Sequence, residues 1–446
     1  MKITAMVLLL LFTSPAAETA DASGGGWVPL SMDMTVTVDA AAGRARLEGR
    51  MRLRLEIAAS TGPTIGINGR EELFAFTSVR GPARSTVTLG KGPERAPTVR
   101  TGAVRLRRPA VRGDEVEVSF VAESVGRGFQ FAVSPDVALA SWVSGWYPFP
   151  APMPDQNLTP ALRNTPGTTR FVMPAGWHAV ANGRRVDRQE SADRAVDVWQ
   201  LDYPAARSFA AGKYLASTVA AGDRTVGVYL LAPKPFDPER HARLLARGLE
   251  AQEARFGPYP YPTYAIVEVP EPLVEWYASS EQGFIMAKSS AFEVEDGNLP
   301  LWGHEMAHGW WGNSVGTTGP GGSWLSEALA QYGAVVAIET VEGPEAMREF
   351  LEFSRKHYNP MQCALGYFAM AREGHDMAIS AMERKNPWEH NLVDAKGHWV
   401  YHMLRHRVGD EVFFSTMKAI AREFAGKQLT VPMFREAFQK AAPAAG

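Results

Sequence analysis

The chain has 446 residues, of which 46% are hydrophobic and 21% are charged, and its formal net charge is −2. This composition is ordinary for a globular protein, and the length suffices for two or three domains. Because there is neither a basic excess nor a long acidic run, we expect no nucleic-acid partner and no disordered acidic tail.

The N-terminus has the features of a secretory signal peptide over residues 1–22. Lys2 precedes an apolar run from Ala5 to Phe12, and Ala20-Asp21-Ala22 fits a small-x-small cleavage site. This run is too short for a transmembrane helix in the mature chain, and no later stretch is long and apolar enough to span a membrane. We therefore predict export to the periplasm or the medium; the alternative is an uncleaved membrane anchor.

Cysteine usage limits how such an exported chain is stabilised. Cys363 is the only cysteine, so an intrachain disulfide is excluded, and stability is expected to come from the core and from any bound metal. Protein ligands for a metal are then expected to be histidine and carboxylate side chains.

Residues 27–217 are predicted to form an N-terminal β-rich domain. Met34–Val38, Met51–Ile57 and Val116–Val121 alternate apolar and polar residues with a period of two, and Gly, Pro and Asp separate them. Such alternation is typical of antiparallel strands with one face exposed to solvent.

Residues 218–446 are predicted to form a mainly helical domain. Phe236–Gly257 has apolar residues at helical spacing, with Asp237 as N-cap, Pro238 at the first helical position and a glycine as the stop. A short strand, Tyr264–Val269, follows, and helical patterns continue to the C-terminus. The expected fold class is therefore α+β.

The segment LWGHEMAHGWWGN contains two histidines four residues apart, His304 and His308. A helix that begins near Pro300 and ends near Gly312 places both imidazoles on one face, where they can bind one metal ion. Glu305 lies beside them and can act as the general base that activates water. The alternative is a helix that carries two unrelated histidines.

A catalytic zinc site needs a third protein ligand and one open position. Nineteen residues after His308, Glu327 falls in the first turn of a second predicted helix, for which Ser323 is a suitable N-cap. His304, Glu305, His308 and Glu327 match the HExxH-x18-E signature, and in this the chain resembles the M1 family of zinc aminopeptidases, within the gluzincins.

The flanking segments are similar to the family as well. HEMAHGWWGNSV resembles HExxHxWxGNxVT, and WLSEALAQY resembles WLNEGFAxY. Arg255–Pro270 resembles the segment that precedes the family's catalytic helices, and Trp146–Phe149 and Phe171–Gly183 resemble its β domain. The resemblance covers most of the mature chain.

The resemblance implies an N-terminal antiparallel β domain followed by a thermolysin-like catalytic domain. That domain is expected to bind one Zn²⁺ through His304, His308 and Glu327, to use Glu305 as the general base, and to remove N-terminal residues from peptides. It also implies a short form without the C-terminal helical domain of many members, and hence a more open cleft.

The stretch YASSEQGFIMAK stands in the place of the family's GAMEN motif. The resemblance implies that Glu281 supplies the carboxylate that binds the α-ammonium of the substrate, and that Gln282 keeps an amide where the family has Asn. We predict both as substrate-binding residues; the alternative for Glu281 is a solvated glutamate in a loop.

The stretch VDAKGHWVYHML is similar to the family's VYxKGxxVLHML, with Lys396 and Gly397 matching. Asp394 stands where the family has a tyrosine that donates a hydrogen bond to the developing oxyanion, which an anionic aspartate cannot do. Losing one such donor costs about a hundred- to a thousand-fold in rate. Several residues are candidates to replace it, without a preference among them: Tyr358, Tyr367, His390, His398 and Tyr401.

A row of histidines, His398, His402 and His406, follows at helical spacing. A second metal site is one interpretation. Because no carboxylate completes the row, packing of the helix is the favoured one.

Two further functions remain open beside the aminopeptidase. One is a zinc-bound peptide-binding protein with weak or no peptidase activity, suggested by Asp394 and by the altered GAMEN segment. The other is an endopeptidase, favoured if the open cleft admits internal peptide segments and Glu281 points away from it.

Overall fold

The computed structural model describes residues 26–68, 73–92, 99–125, 127–151, 165–294, 297–353, 366–381 and 387–442. The predicted signal peptide, residues 1–22, lies outside these ranges. Within them, no helix combines the length and the apolar character that crossing a membrane requires.

The first part of the described chain is built from strands. In chain order they are β1 (Trp27–Asp39), β2 (Arg44–Leu55), β3 (Ala59–Ser60), β4 (Thr64–Asn68), β5 (Phe74–Arg80), β6 (Thr86–Lys91), β7 (Val99–Arg105), β8 (Ala110–Val111), β9 (Glu115–Val125), β10 (Arg127–Gly128), β11 (Phe131–Val133), β12 (Val137–Ala140), β13 (Phe149–Pro150), β14 (Gly167–Pro174), β15 (His178–Ala181), β16 (Arg184–Glu190), β17 (Arg194–Leu201) and β18 (Phe209–Gly212).

The largest sheet of this β domain has seven strands in the order β16-β17-β14-β1-β2-β9-β5. The three alternating segments of the sequence lie in β1, β2 and β9, which are antiparallel neighbours, as predicted. The pairing of β1 with β14 is parallel. In β2, the apolar residues from Ala45 to Leu55 are buried and the arginines between them are exposed, which is the pattern of a sheet with one face on the core.

The second part contains most of the helices. In chain order its elements are β19 (Leu215–Ala221), β20 (Arg224–Leu230), α1 (Pro238–Phe256), β21 (Thr263–Val269), β22 (Ala278–Ser280), β23 (Ile285–Lys288), α2 (Leu299–Ala307), β24 (Gly316–Thr317), a π-helical turn (Trp324–Ala328), α3 (Leu329–Val341), α4 (Pro344–Phe353), α5 (Tyr367–Arg372), α6 (Pro387–Val408), α7 (Asp410–Glu423), β25 (Gln428–Leu429) and α8 (Val431–Ala441).

This helical domain includes a five-stranded sheet in the order β19-β20-β21-β23-β22. Its first strand begins at Leu215, so the sheet starts shortly before the domain boundary predicted between residues 217 and 218. Helix α1 begins as predicted, because the Asp237 side chain accepts a hydrogen bond from the Glu239 N–H and Pro238 occupies the first position. Gly257 follows its last residue.

Helices α1, α2 and α3 form the centre of the helical domain. A Cβ atom at Gly333 would overlap Ala307, so the glycine permits the close approach of α2 and α3. The buried side chain of Gln252 on α1 donates from Nε2 to the carbonyls of Gly303 and Gly333 at 2.7 and 2.9 Å. The three helices are thereby fixed around the segment that carries the two histidines.

The two domains share a buried apolar interface. On the β-domain side it includes Val137, Leu139 and Val180, and on the helical-domain side Val267 and Met286, all less than 5% exposed. Strand β22, which precedes Glu281, is the edge strand of the helical domain's sheet beside this interface. The β domain therefore takes part in positioning the predicted substrate-binding segment.

Candidate metal centre

The two histidines lie together at the end of α2. The helix ends at Ala307 with His308 as its C-cap, so it is one turn shorter than the predicted helix ending near Gly312. The turn is still helical at His308, whose N–H donates to the His304 carbonyl. The two imidazole Nε2 atoms are consequently 3.2 Å apart.

Glu327 reaches the same point from a π-helical turn, Trp324–Ala328, that precedes α3. Glu327 falls in the first turn of this segment and Ser323 directly precedes the turn, as predicted. The turn is π-helical, however, and Ser323 has helical backbone angles with no capping hydrogen bond from its side chain. The Oε2 atom of Glu327 lies 3.8 Å from His304 Nε2 and 3.6 Å from His308 Nε2. Single π-helical turns are frequent at functional sites.

The triangle of ligand atoms has the dimensions of a zinc site. Ligand atoms about 2.1 Å from one tetrahedral ion are about 3.4 Å from one another, and the three measured distances lie between 3.2 and 3.8 Å. Among the described residues, His304, His308 and Glu327 are the one group of histidine, cysteine and carboxylate side chains with this clustering. The residues fit a zinc ion with one open coordination position.

Both imidazoles are oriented by hydrogen bonds at Nδ1. His304 Nδ1 lies 2.8 Å from Oε1 of Gln331 on α3, and His308 Nδ1 lies 2.9 Å from the carbonyl of Trp311. Because both partners are acceptors, Nδ1 carries the proton and Nε2 keeps its lone pair for a metal. Gln331 was not among the residues predicted from the sequence, although its position four residues after Glu327 places it on the same face of a helix.

Glu305 follows His304 directly on α2 and is 7% exposed. Like His304 and Gln331 it is buried, and its negative charge is one of the causes that raise the pKa of His308. Its carboxylate is therefore held next to the ligand triangle in a largely water-excluded environment, where a proton acceptor is effective.

Without a metal, the site formed by His304, His308 and Glu327 carries a proton on His308, which a binding cation must displace. Burial lowers the pKa of His308, but the carboxylate of Glu327 outweighs this effect and the pKa rises to about 9. Because the folded-state pKa lies above the ordinary value of 6.5, this group stabilises the metal-free protein below pH 6.5, and the contribution is lost as the pH rises through about 9.

We expect zinc binding at pH 6 to release about one proton from His308, and the zinc affinity to fall further as the pH is lowered. Titration calorimetry in two buffers with different ionisation enthalpies measures the number of protons. Zinc binding without proton release at pH 6 would contradict the protonated state of the metal-free site.

The π-helical turn that carries Glu327 is supported by α6. The ring of Tyr401 stacks on Trp324 at 4.5 Å, and its hydroxyl donates to the Trp324 carbonyl. A Cβ atom at Gly397 would overlap the Cβ of Ala328 in the same turn. Tyr401 therefore packs against the turn and is not placed to serve as the oxyanion donor.

We expect Gly397→Ala to destabilise the protein by about 1–3 kcal/mol, because the added methyl group overpacks the contact between α6 and the turn. The shift of the turn should also weaken zinc binding. Urea unfolding and competition with a zinc chelator measure the two effects. Gly90→Ala is the control, because its Cβ would meet Thr101 at an ordinary distance of 3.5 Å. Wild-type stability in Gly397→Ala would show that the turn accommodates the methyl group.

Asp394 lies on α6, one turn before Gly397, and is 1% exposed. One candidate for the missing oxyanion donor is bound elsewhere. Tyr367 donates to Asp376, which also accepts from Lys396. Tyr358 lies outside the described residues, and the His390 side chain is outside them too.

The three histidines of the row on α6 lie in different environments. His398 is fully buried, lies 3.3 Å through Nε2 from the Leu351 carbonyl, and stacks on Phe350. Burial lowers its pKa to about 4. His402 is half-buried and His406 is exposed. No carboxylate joins them in a metal-ligand group within the described ranges, which agrees with packing of the helix.

Glu281 and Gln282 lie at the domain interface, at the end of the edge strand β22. Glu281 has no exposed surface, so the alternative of a solvated loop glutamate was wrong. The Gln282 side chain accepts a hydrogen bond from the Ala206 N–H at 2.7 Å. Asn182 of the β domain donates to the carbonyls of both residues. The sequence carries no local signal for these contacts, because the partners are distant along the chain.

The segment is also connected to the metal centre. Asn313, in the turn after His308, donates from Nδ2 to the Ser280 hydroxyl at 3.1 Å. The hydrogen bond joins the last residue of β22 to the turn that follows the metal-binding helix. The predicted amine anchor and the ligand triangle therefore belong to neighbouring elements.

Comparisons with known proteins agree with these features. Residues 243–445 match a family model described as the peptidase family M1 domain. An aminopeptidase N from Lactococcus lactis subsp. lactis is 33% identical over 123 residues, which are 26% of this chain and 13% of that protein. The chain thus spans a small part of the length of this curated relative.

Solved structures resemble the whole described fold. The M1 zinc metallopeptidase from Deinococcus radiodurans has a TM-score of 0.66 and 16% identity, over 95% of this chain and 93% of that one. A variant of it bound to a Tyr-Ser-Ala substrate has a TM-score of 0.66 and 17% identity, over 94% and 92% of the two chains. At this level of identity the likeness shows the fold, and it confirms the predicted α+β class with a β domain before a helical one.

Proposed function

Because residues 243–445 form a domain of peptidase family M1, we propose that the chain is an exported zinc aminopeptidase. The observation that carries the proposal is the triangle of His304, His308 and Glu327 with Glu305 beside it. The curated relative is named an aminopeptidase, which supports release of residues from the N-terminus of peptides.

In this proposal, zinc is held by His304, His308 and Glu327. When bound, it supplies Lewis acidity that polarises a peptide carbonyl and makes water a better nucleophile at neutral pH. Gln331 and the Trp311 carbonyl keep the two imidazoles in the tautomer that binds the ion.

Glu305 moves the proton. Its carboxylate takes a proton from the attacking water and delivers it to the nitrogen of the leaving amine. Glu281 holds the α-ammonium of the substrate, so that the first peptide bond is the one presented to Glu305. Gln282, predicted to bind substrate, acts in this proposal by fixing the residue after Glu281 to the β domain, since its side chain accepts from the Ala206 N–H.

Export rests on the N-terminal sequence alone. We propose that residues 1–22 are removed, so that the mature protein begins near Ser23 and acts in the periplasm or the medium. N-terminal sequencing of the protein recovered from each fraction tests this cleavage.

The test of the function compares a free and a blocked amino end. The zinc-loaded protein is expected to release the fluorophore from unblocked aminoacyl amides and to leave N-acetylated ones intact. Release must stop on chelation of zinc and return when zinc is restored. Equal turnover of blocked peptides would favour the endopeptidase, and zinc binding without turnover would favour the peptide-binding protein that Asp394 suggests.

A further inference from the structure

The carboxylate of Glu281 is enclosed by three serine hydroxyls. Ser141 and Ser208 of the β domain donate to Oε2 at 2.9 and 2.6 Å. Ser279, on strand β22 of the helical domain, donates to Oε1 at 2.6 Å. Because Glu281 has no exposed surface, a substrate amine reaches its carboxylate only if one of the groups around it moves.

Two of the three donors are firmly held. Ser141 and Ser208 are buried. The Ser208 hydroxyl also accepts from the Trp142 N–H at 2.9 Å, and the Ser208 N–H donates to Oδ1 of Asn182 at 2.6 Å. The Ser141 N–H donates to the Gln130 carbonyl. Moving the Ser208 hydroxyl would break its contact with the Trp142 N–H. The Ser141 side chain is fully buried on a fixed backbone, so its hydroxyl has no solvent to turn towards.

The third donor is differently placed. Ser279 is half-buried and lies on the edge strand, which pairs on one side only with β23. Its hydroxyl makes no second hydrogen bond in the described part of the chain beyond the one to Glu281. A rotation about χ1 would remove it from Oε1 without disturbing any other contact of the hydroxyl.

We propose that the Ser279 hydroxyl is a placeholder for the α-ammonium of a peptide, which displaces it from Oε1 while Ser141 and Ser208 keep Oε2 in position. The proposal rests on the aminopeptidase function. It assigns Ser279 to the specificity of the site and Ser141 and Ser208 to the positioning of Glu281.

The exchange is favourable for a cation and not for a blocked amine. The Ser279 hydroxyl is a neutral donor to the carboxylate, whereas an ammonium adds a full positive charge to the same hydrogen bond and therefore binds it more strongly. Burial raises the pKa of Glu281 to about 7, against the hydrogen bonds of Ser208, Ser279 and Ser141. An arriving ammonium stabilises the ionised form of Glu281. An acetylated nitrogen carries no positive charge, and its acetyl group leaves no room for the displaced hydroxyl.

The experiment measures KM and kcat for an unblocked aminoacyl amide with the zinc-loaded full chain and two variants. Ser279→Ala frees Oε1 and is expected to lower KM about 3- to 10-fold with kcat nearly unchanged, since the substrate amine no longer has to displace a hydroxyl from the carboxylate. Ser208→Ala is expected to raise KM and to move the acid limb of the pH profile to higher pH, because the carboxylate loses a donor. Ser415→Ala, on the exposed face of α7, is the matched control.

The proposal is decided by KM, which is expected to fall in Ser279→Ala and to rise in Ser208→Ala. An unchanged or raised KM in Ser279→Ala, with zinc content and circular dichroism as in the wild type, would overturn it. Absence of turnover in the wild type would instead reject the aminopeptidase function on which the proposal rests.

Discussion

Replacement of Glu305 by Gln is expected to lower kcat/KM about 100- to 10,000-fold on an unblocked aminoacyl amide, with zinc content unchanged. The amide keeps the size of the side chain but cannot accept the proton of the attacking water or pass it to the leaving amine. Glu305 is not one of the three clustered ligands, so the ion should remain bound.

The measurement is the rate of fluorophore release by the purified, zinc-loaded variant, with zinc determined by metal analysis. Glu423→Gln, an equal substitution at an exposed position of α7, should keep wild-type activity. Turnover at the wild-type rate in Glu305→Gln would show that another group is the base, or that the observed activity belongs to a contaminant.

Replacement of Glu327 by Gln is expected to weaken zinc binding by more than 100-fold and to abolish turnover at low zinc. The change removes the one negative ligand, which lies 3.6–3.8 Å from the two imidazole nitrogens. It also removes the carboxylate that raises the pKa of His308. Loss of an orienting partner beyond the ligands typically costs only 10- to 100-fold.

Gln331→Leu provides the internal comparison, because Gln331 contacts His304 Nδ1 and not the ion. Competition with a chelator should rank the affinities as wild type, then Gln331→Leu, then Glu327→Gln. Glu349→Gln, on the exposed face of α4, should bind zinc as the wild type does. Equal affinities for Glu327→Gln and the wild type would place the third ligand elsewhere.

Local signals predicted the parts of the fold that depend on neighbouring residues. The alternation in β1, β2 and β9, and the Asp237-Pro238 start of α1, are short-range patterns, and both predictions were confirmed. The spacing of His304 and His308 indicated a shared helix face, and the resemblance to the M1 signature implied Glu327 as the third ligand. The structure brings the three side chains together.

Features that depend on packing between distant segments were not predictable in this way. Glu327 lies in a π-helical turn against which α6 packs through Gly397, and nothing in the sequence around Ser323 indicates this. The enclosure of Glu281 by Ser141 and Ser208 joins residues 140 and 73 positions apart. Isolated serines carry no pattern that distinguishes a carboxylate partner from a surface hydroxyl.

The contacts of Ser279, Ser280 and Lys396 show what the residues do in the two segments that differ from the family's motifs. Where the GAMEN segment has changed, Ser279 and Ser280 supply hydroxyls to Glu281 and to Asn313. The substitution at Asp394 leaves the helix packing of Lys396 and Gly397 in place, since the Lys396 ammonium donates to Asp376 and the Met377 carbonyl. The metal centre and its supporting helix are therefore retained while the groups around the substrate differ.

The most direct measurement is the pattern of products from an unblocked peptide of about ten residues, incubated with the zinc-loaded mature protein and followed by mass spectrometry. A zinc aminopeptidase predicts a ladder of masses that lose one N-terminal residue at a time, absent after chelation and absent for the N-acetylated peptide. Internal fragments from both peptides, or an intact peptide with zinc bound, would contradict removal of N-terminal residues at the site of His304, His308 and Glu327.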